Sequence, residues 1–359
     1  MYIFTFLMLF CFAVYDVSAN SIYANKIKKG LLLIGCAWLV FHDGFRWQIG
    51  SDWDKYYTFF NFCLTDNPEE LEPGYVLINQ FVREFTDNYS YFLVLFALIE
   101  YSSLFIFIRK FSPYKLLSLF LFYGLFFGYM GMNRQFLAVF ACCLSVPFII
   151  KKQKWPYILM MLIAFTFHKS SILFWPAYFL TYKINRKAII ALISLAIIVS
   201  TTGVINLLPE KLFYSLGGDY IGMKATAYID GQSFFYDPMN FLEGLLKRAF
   251  WLVLFLYPYE KLNKLKGFTL VFNIYLVGIL VYIMFNGTLF QIIIDRGLVY
   301  YNIFEILAIP YLFIVYKREK VVLMLITGVY TAYTMYKGIQ SYIELMGVDI
   351  FNPYKSILF

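Results

Sequence analysis

The chain has 359 residues, of which 61% are hydrophobic and only 14% are charged. Soluble domains carry about one quarter charged residues, so this composition excludes an ordinary soluble globule. The net charge of +8 would suit a nucleic-acid partner, but the basic residues cluster in short connections between apolar segments, and no nucleic-acid partner is expected. The first predicted element, residues 2–17, is apolar and lacks a basic leader, which favours a first membrane span over a cleaved signal peptide.

The apolar segments predict an all-α fold, a polytopic transmembrane helical bundle of about 12 spans in a single domain over residues 1–359. A span needs about 20 mostly apolar residues, although shorter ones occur. The spans on either side of Arg134 and His168 are short enough to be bent or half-embedded. The candidate spans, in chain order, are 2–17, 28–42, 91–108, 115–130, 134–150, 155–167, 171–182, 188–207, 247–259, 268–286, 296–316 and 321–337.

Basic residues determine the predicted orientation. Six short connections carry three Lys or Arg each, and all six fall on one side when the spans alternate. The positive-inside rule makes this side cytoplasmic, so both termini and two long connections, 43–90 and 208–246, face outside. The inner connections are too short to build a site, so chemistry is expected on the outer face. A short helix along the membrane surface is predicted by the spacing of Tyr75, Ile78, Asn79 and Val82.

Four basic residues on the predicted outer side depart from this charge bias: Arg134, Lys169, Arg248 and Arg296. Each lies near the outer start of a predicted span, where the helix N-terminus is partly positive and disfavours a cation. A phosphate-like ligand would compensate the charges. The alternative is snorkelling at the interface or pairing with loop acids. Arg46, just after the second span, belongs to the same group.

Candidate acid–base groups lie in the same outer segments. Asp52 and Asp54 form a DxD pattern, which holds a metal and a sugar nucleotide in many glycosyltransferases. Nucleotide sugars are cytoplasmic whereas this loop is predicted to be external, so no metal site is expected. His168 can take a proton near neutral pH, and its alternative role is that of a hydrogen-bonded interfacial histidine. Ionisable groups inside the spans are few, Glu100 and Glu305 being the clearest, which argues against a proton-coupled transporter.

In their order along the chain, these motifs resemble the EpsG-type branch of the Wzy-class bacterial polysaccharide polymerases. The first match comprises Arg46, Gly50-Ser51-Asp52-Trp53 and Tyr56, followed by Glu72-Pro73-Gly74-Tyr75 and Asn79. The second comprises Asn133-Arg134-Gln135 and Ala138. The third comprises Phe167-His168-Lys169-Ser170 and Pro176. Arg296 and Tyr300 are similar to a later family position, and beyond residue 180 the resemblance is mainly one of hydropathy.

The resemblance implies a glycosyltransferase of the bacterial cytoplasmic (inner) membrane that needs no metal or other cofactor. Its donor and acceptor would be oligosaccharide repeat units carried on undecaprenyl diphosphate. On the outer face of the membrane, the donor chain would be transferred to the non-reducing-end sugar of an incoming unit, with the lipid diphosphate as leaving group. The expected partners are these lipid-linked oligosaccharides and the lipid bilayer, with a chain-length regulator and a flippase as further candidates.

Site residues follow from this chemistry. A diphosphate leaving group needs positive charge, for which Arg46, Arg134 and Arg296 are the candidates. An acceptor hydroxyl needs a base, for which His168 is the first choice and Asp52 the second. Substrate contacts are assigned to Tyr56, Glu72, Tyr75, Asn133, Gln135 and Lys169, although the tyrosines would serve equally well as interfacial anchors.

Two other functions remain open at this point. One is a different lipid-linked sugar transferase, such as an O-antigen-type ligase or an enzyme that uses polyprenyl-phosphate sugars. The other is a flippase or transporter of the same lipid-linked sugars. A flippase is expected to expose a charged central cavity, whereas the unusual charges of this chain collect at the outer rim. The product, whether O-antigen, capsule or exopolysaccharide, is not indicated by the sequence.

Overall fold

The computed structural model describes residues 1–50, 52–65, 71–204, 238–288 and 290–358. These residues are largely helical and contain no β-strand apart from one isolated antiparallel bridge, between Arg46 and Ser356. They group into two compact units. Unit 1 comprises Met1–Ile172 and Ile309–Phe359, and unit 2 comprises Leu173–Ala308. The expectation of a single domain stays a prediction.

The helices follow the apolar segments of the sequence. The α-helices are α1 (Tyr2–Ser18), α2 (Ile22–Gly44), α3 (Trp53–Phe62), α4 (Pro73–Arg83), α5 (Tyr89–Phe111), α6 (Lys115–Leu125), α7 (Asn133–Ile150), α8 (Lys154–Phe167), α9 (Arg186–Thr202), α10 (Pro238–Leu256), α11 (Tyr259–Leu262), α12 (Phe268–Phe285), α13 (Gln291–Gly297), α14 (Val299–Asn302), α15 (Glu305–Val315) and α16 (Lys320–Met346). Two 3-10 helices span Phe127–Tyr129 and Lys169–Phe179. The predicted all-helical fold is therefore confirmed for the described residues.

Helix α6 forms the centre of unit 1, because its residues from Leu116 to Gly124 are all buried. Helices α1, α2, α5 and α16 pack against it. Close packing continues beyond the end of α6, where a Cβ added to Gly128 would lie 3.2 Å from the Cα of Gly338 in α16. Separately, α7 packs against α8 and α5.

By length and composition, α5, α7 and α12 are long and apolar enough to cross a membrane. Further apolar but shorter helical stretches are Tyr2–Ser18, Lys115–Leu125, Lys154–Phe167 and Val299–Val315. These helices support a membrane protein. The count of about 12 spans, and the predicted orientation, stay predictions.

Several predicted boundaries differ from the observed helices. The predicted span 171–182 is a 3-10 helix, and the predicted span 296–316 is divided among α13, α14 and α15. Helix α10 begins before the predicted span 247–259, so residues 238–246 of the predicted external loop are helical. Hydropathy indicates an apolar segment but does not distinguish a 3-10 helix from an α-helix. The start of α10 was not predicted because its first half contains charged residues. The rest of that loop, residues 208–237, lies outside the described part of the chain, as do residues 205–207 at the end of the predicted span 188–207 and residues 51 and 66–70 of the first loop.

The helix boundaries also correct the argument from the helix dipole. Arg134 is the second residue of α7, where a cation is disfavoured as predicted. Arg296 instead occupies the last turn of α13, where a cation is favoured. Arg248 lies in the interior of α10, with its guanidinium 3.5 Å from the ring centroid of Tyr282 and donating to the Gly244 carbonyl at 2.9 Å. The expectation that Arg248 and Arg296 start their helices was wrong.

Candidate functional site

A first group of polar residues in unit 1 lies beside the middle of α5, where α2 ends. A Cβ added to Gly44, the last residue of α2, would lie 3.1 Å from the Cα of Val94 in α5. Tyr101 donates its hydroxyl hydrogen bond to Asp43. Tyr101 lies 12 residues after Tyr89, the start of α5, which is about 18 Å along the helix axis. The end of α2 is thus recessed along α5 rather than level with its first turn.

Arg46, in the loop after α2, reaches the start of α7. Its side chain is buried, with Nη1 donating to the Asp43 carbonyl at 3.0 Å and Nη2 donating to Asn133 Oδ1 at 2.9 Å. The loop is fixed by the C-terminal segment, because Trp47 donates its backbone N–H to the Lys355 carbonyl at 3.0 Å. The first and second sequence motifs therefore meet at the contact of Arg46 with Asn133.

A buried network next to Arg46 was not assigned from the sequence. His42 Nδ1 and Asp43 Oδ1 are 2.7 Å apart, and Tyr101 occupies the other oxygen of Asp43. The His42 carbonyl accepts from the Tyr354 hydroxyl at 2.6 Å. The available signal was an adjacent His-Asp pair at a span end, together with the ionisable Glu100 inside the next span.

Arg134 pairs with the second loop motif. Its Nη1 donates to Glu72 Oε2 at 2.7 Å and its Nε donates to the Tyr56 hydroxyl at 3.3 Å. Burial, partly offset by Arg134, raises the pKa of Tyr56 above its ordinary value, so the phenol keeps its proton while it accepts from Arg134. The other oxygen of Glu72 accepts the backbone N–H of Lys169 at 3.3 Å. One carboxylate thus connects the start of α7 to the segment that follows His168.

The residues around Glu72 explain why its motif has this composition. Pro73 occupies the first turn of α4, where its missing N–H costs nothing. A Cβ on Gly74 would lie 2.6 Å from Thr166 Oγ1 and 2.9 Å from the Thr166 carbonyl oxygen, so only glycine allows α4 to lie this close to α8. Tyr75 is fully buried, with its ring 5.3 Å from that of Tyr56 between centroids. The predicted helix at this position is confirmed as α4, with Tyr75, Asn79 and Val82 buried.

Gly50 has a comparable role in the first motif. Its φ of +108° is in the range that favours glycine, and an added Cβ would lie 2.9 Å from the Cα of Gly131. The loop after α2 therefore lies directly on the turn that precedes α7. Ser51, the next motif residue, is outside the described residues.

His168 ends α8 and is half-buried. Its backbone N–H donates to the Ala164 carbonyl at 3.0 Å, and its Nδ1 is 2.6 Å from the Ser170 hydroxyl oxygen. This contact fixes the orientation of the imidazole ring. Lys169, the next residue, supplies the backbone N–H that Glu72 accepts.

The other predicted residues lie in different surroundings. Asp52 precedes α3, is partly exposed and lies 3.8 Å from Lys55 Nζ. Gln135 is buried on α7. Arg296 is exposed on α13 of unit 2, and its convergence with Arg46 and Arg134 stays a prediction. Within the described residues, no group of three or more His, Cys, Asp or Glu side chains could hold a metal ion, and the metal independence of the reaction stays a prediction.

Comparison with known proteins gives a family but no individual relative. No curated protein and no solved structure matches the chain significantly. The model of the EpsG family matches residues 29–356, nearly the whole chain. This range contains Arg46, Glu72, Arg134 and His168, the residues from which the site is built. The chain therefore belongs to the EpsG family, whose function is of the polysaccharide-polymerase type.

Proposed function

We propose that this protein joins undecaprenyl-diphosphate-linked oligosaccharide repeat units on the outer face of the bacterial cytoplasmic membrane. The reaction would be a glycosyl transfer, with one lipid-linked repeat unit or chain as donor and another as acceptor. Membership of the EpsG family supports polymerase chemistry, and the apolar helices support a membrane location. The donor lipid, the outer face, the requirement for no metal and the action beside a flippase and a chain-length regulator are parts of the proposal.

The observation that carries the proposal is the double contact of Glu72. This buried carboxylate binds Arg134 through one oxygen and the Lys169 N–H through the other. Glu72 thus links a cationic group to the residue that follows a candidate base, although Arg134 and His168 come from different helices. Transfer from a diphosphate donor requires this combination, since charge develops on the leaving group while the acceptor loses a proton.

In the proposed step, the acceptor hydroxyl oxygen attacks the anomeric carbon of the donor sugar. The bond between that carbon and the diphosphate oxygen breaks, and the lipid diphosphate leaves with the electron pair. Arg134, with Arg46 and Arg296 as further candidates, would stabilise this negative charge. His168, or failing that Asp52, would receive the acceptor proton. The remaining substrate contacts are assigned to Tyr56, Glu72, Tyr75, Asn133, Gln135 and Lys169.

A strain lacking this protein tests the proposal against its alternatives. We expect single repeat units, on the lipid or on their final carrier, and no long chains. Accumulation of repeat units on the cytoplasmic side would instead indicate a flippase. Long chains that still form on undecaprenyl diphosphate but fail to reach their final acceptor would indicate a ligase. Complementation with the intact gene is the control.

A further inference from the structure

A cavity inside unit 1 contains polar groups, Glu100 and Tyr101 among them, that the proposed transfer step does not use. Its polar lining consists of Asp43, Arg46, Glu100, Tyr101 and Asn133, and most of its other walls are aromatic. It has about 30 Å³ of room for water-sized groups, within about 410 Å³ of empty space that includes the open solvent at its mouth. About 10–15 Å³ of such room accommodates one water molecule. The inner part of the cavity therefore suits one or two hydroxyl-sized groups rather than a whole sugar or a diphosphate.

Glu100 is the group in this cavity that lacks a partner. Its side chain is 7% exposed, and no described residue forms a hydrogen bond or an ion pair with its carboxyl group. Asp43 differs, because His42 and Tyr101 occupy its two oxygens. A buried carboxyl without a hydrogen bond is costly, so a ligand that supplies one would be favoured there.

Arg46 adds donors on the same lining. Two of the five N–H groups of a guanidinium are used on Asp43 and Asn133. Its Nε is buried and has no hydrogen-bond partner among the described residues. The cavity thus presents one unsatisfied carboxyl group together with a donor-rich guanidinium.

The charges of the lining restrict the class of ligand. The carboxylate of Asp43 and the guanidinium of Arg46 carry opposite charges on this lining, so the cavity has no excess charge that would favour a free anion or a free cation. A neutral hydroxyl group fits this lining, because it donates to an oxygen of a carboxyl group and accepts from a guanidinium.

We propose that this cavity binds a hydroxyl or hydroxymethyl group of a sugar in the repeat unit, with Glu100 accepting the hydroxyl hydrogen bond and Arg46 donating to a sugar oxygen. The inference rests on the proposed function for the identity of the sugar-bearing ligand. It assigns Arg46 to sugar recognition instead of the leaving group, for which Arg134 and Arg296 remain the candidates.

The first experiment replaces Glu100 in the full-length protein reconstituted in lipid. Its substrate is the lipid-linked repeat unit extracted from the deletion strain. Glu100→Gln keeps the shape of the side chain but replaces one carboxyl oxygen by an NH2 group, which donates and cannot accept, so we expect the KM for the repeat unit to rise about tenfold with a much smaller change in kcat. Ser103→Ala is the matched control, because Ser103 is buried on the same helix and its hydroxyl bonds to the Ile99 carbonyl of that helix. A KM unchanged in Glu100→Gln would overturn the inference.

The second experiment uses the wild-type protein, so it does not depend on a variant that folds. Dicyclohexylcarbodiimide modifies carboxyl groups in apolar surroundings, and mass spectrometry then gives the modified fraction at Glu100 and at Glu305, a buried glutamate of unit 2. We expect a sugar-bearing ligand to protect Glu100 and not Glu305. Protection by the free repeat unit would indicate the acceptor sugar, and protection by undecaprenyl-diphosphate monosaccharide would indicate the donor sugar.

Two results of this labelling would contradict the inference. One is equal protection by undecaprenyl diphosphate without a sugar, and the other is no protection of Glu100 by either sugar-bearing ligand. The proposed function fails separately, if the wild-type protein makes no chains from the repeat unit. Protection of Glu100 by a sugar-bearing ligand could still be measured in that case, because the labelling does not require chain growth.

Discussion

Among single residues, Glu72 connects Arg134 at the start of α7 with Lys169, the residue after His168. Its carboxylate is buried and holds Arg134 at 2.7 Å. Removing one partner from a buried ion pair leaves an uncompensated charge, which is more costly than removing an exposed pair. Substitutions at Arg134 therefore act on both the chemistry and the local structure, and a test must separate the two effects.

Replacement of Arg134 by Ala should lower the polymerisation rate roughly a hundredfold, or about 3 kcal/mol at the transition state. Arg134→Lys should recover only part of the rate, because lysine lacks the planar fork that contacts two acceptors. Glycan ladders at matched membrane levels measure the rate. Arg109→Ala is the control and should leave the ladder unchanged, because Arg109 lies in the last turn of α5 and outside the candidate site. A normal ladder from Arg134→Ala would mean that this residue is only an anchor.

His168→Ala should abolish polymerisation while binding of the lipid-linked donor stays largely intact, as expected for a base. Ser170→Ala should reduce the rate less, because the Ser170 hydroxyl only orients the imidazole, 2.6 Å from its Nδ1. Donor binding to the purified variants and the ladder in cells are the two measurements. If His168→Ala makes normal chains, the proton is taken elsewhere, and Asp52 becomes the next residue to replace.

At the scale of elements, Gly74 sets the distance between α4 and α8. An added methyl group would overlap Thr166, and overpacking of this kind costs about 1–3 kcal/mol. Gly74→Ala should therefore lower the melting temperature in detergent and weaken polymerisation, because Glu72 moves away from Lys169. Gly30→Ala is the matched control, since nothing lies within 4 Å of a Cβ at Gly30 in α2. Equal melting temperatures for the two variants would contradict the observed packing.

Helices were predictable from the sequence where their signal is local, whereas contacts between distant residues were not. Helix α4 was predicted because its buried positions recur with helical spacing, which is a local signal. The contact of Arg134 with Glu72 joins residues 62 positions apart, and that of Tyr101 with Asp43 joins residues 58 positions apart. Such pairings depend on tertiary packing, so the sequence motifs indicated Arg134 and Glu72 but not their contact, and Tyr101 was missed. The 3-10 helix at Lys169–Phe179 was missed because its apolar composition is that of an α-helical span.

For the whole molecule, the predicted orientation decides which side of the membrane the site faces. Reporters fused after residue 153 or residue 264 should read as cytoplasmic, because basic connections follow the positive-inside rule. Reporters fused after residue 66 or residue 230, positions outside the described residues, should read as external. Fusions with two complementary reporters at each position control for poor expression. An external signal at residue 153 would reverse the orientation and place the site on the cytoplasmic side.

The most direct measurement of the central proposal is polymerisation by the purified protein in lipid vesicles, with the lipid-linked repeat unit from the deletion strain as sole substrate. We expect a ladder of chains that grows with time, releases undecaprenyl diphosphate and persists in excess EDTA. His168→Ala protein in the same vesicles is the matched control and should produce no ladder. Transbilayer movement of the repeat unit without any chain growth, or a ladder that disappears with EDTA, would contradict a metal-independent polymerase.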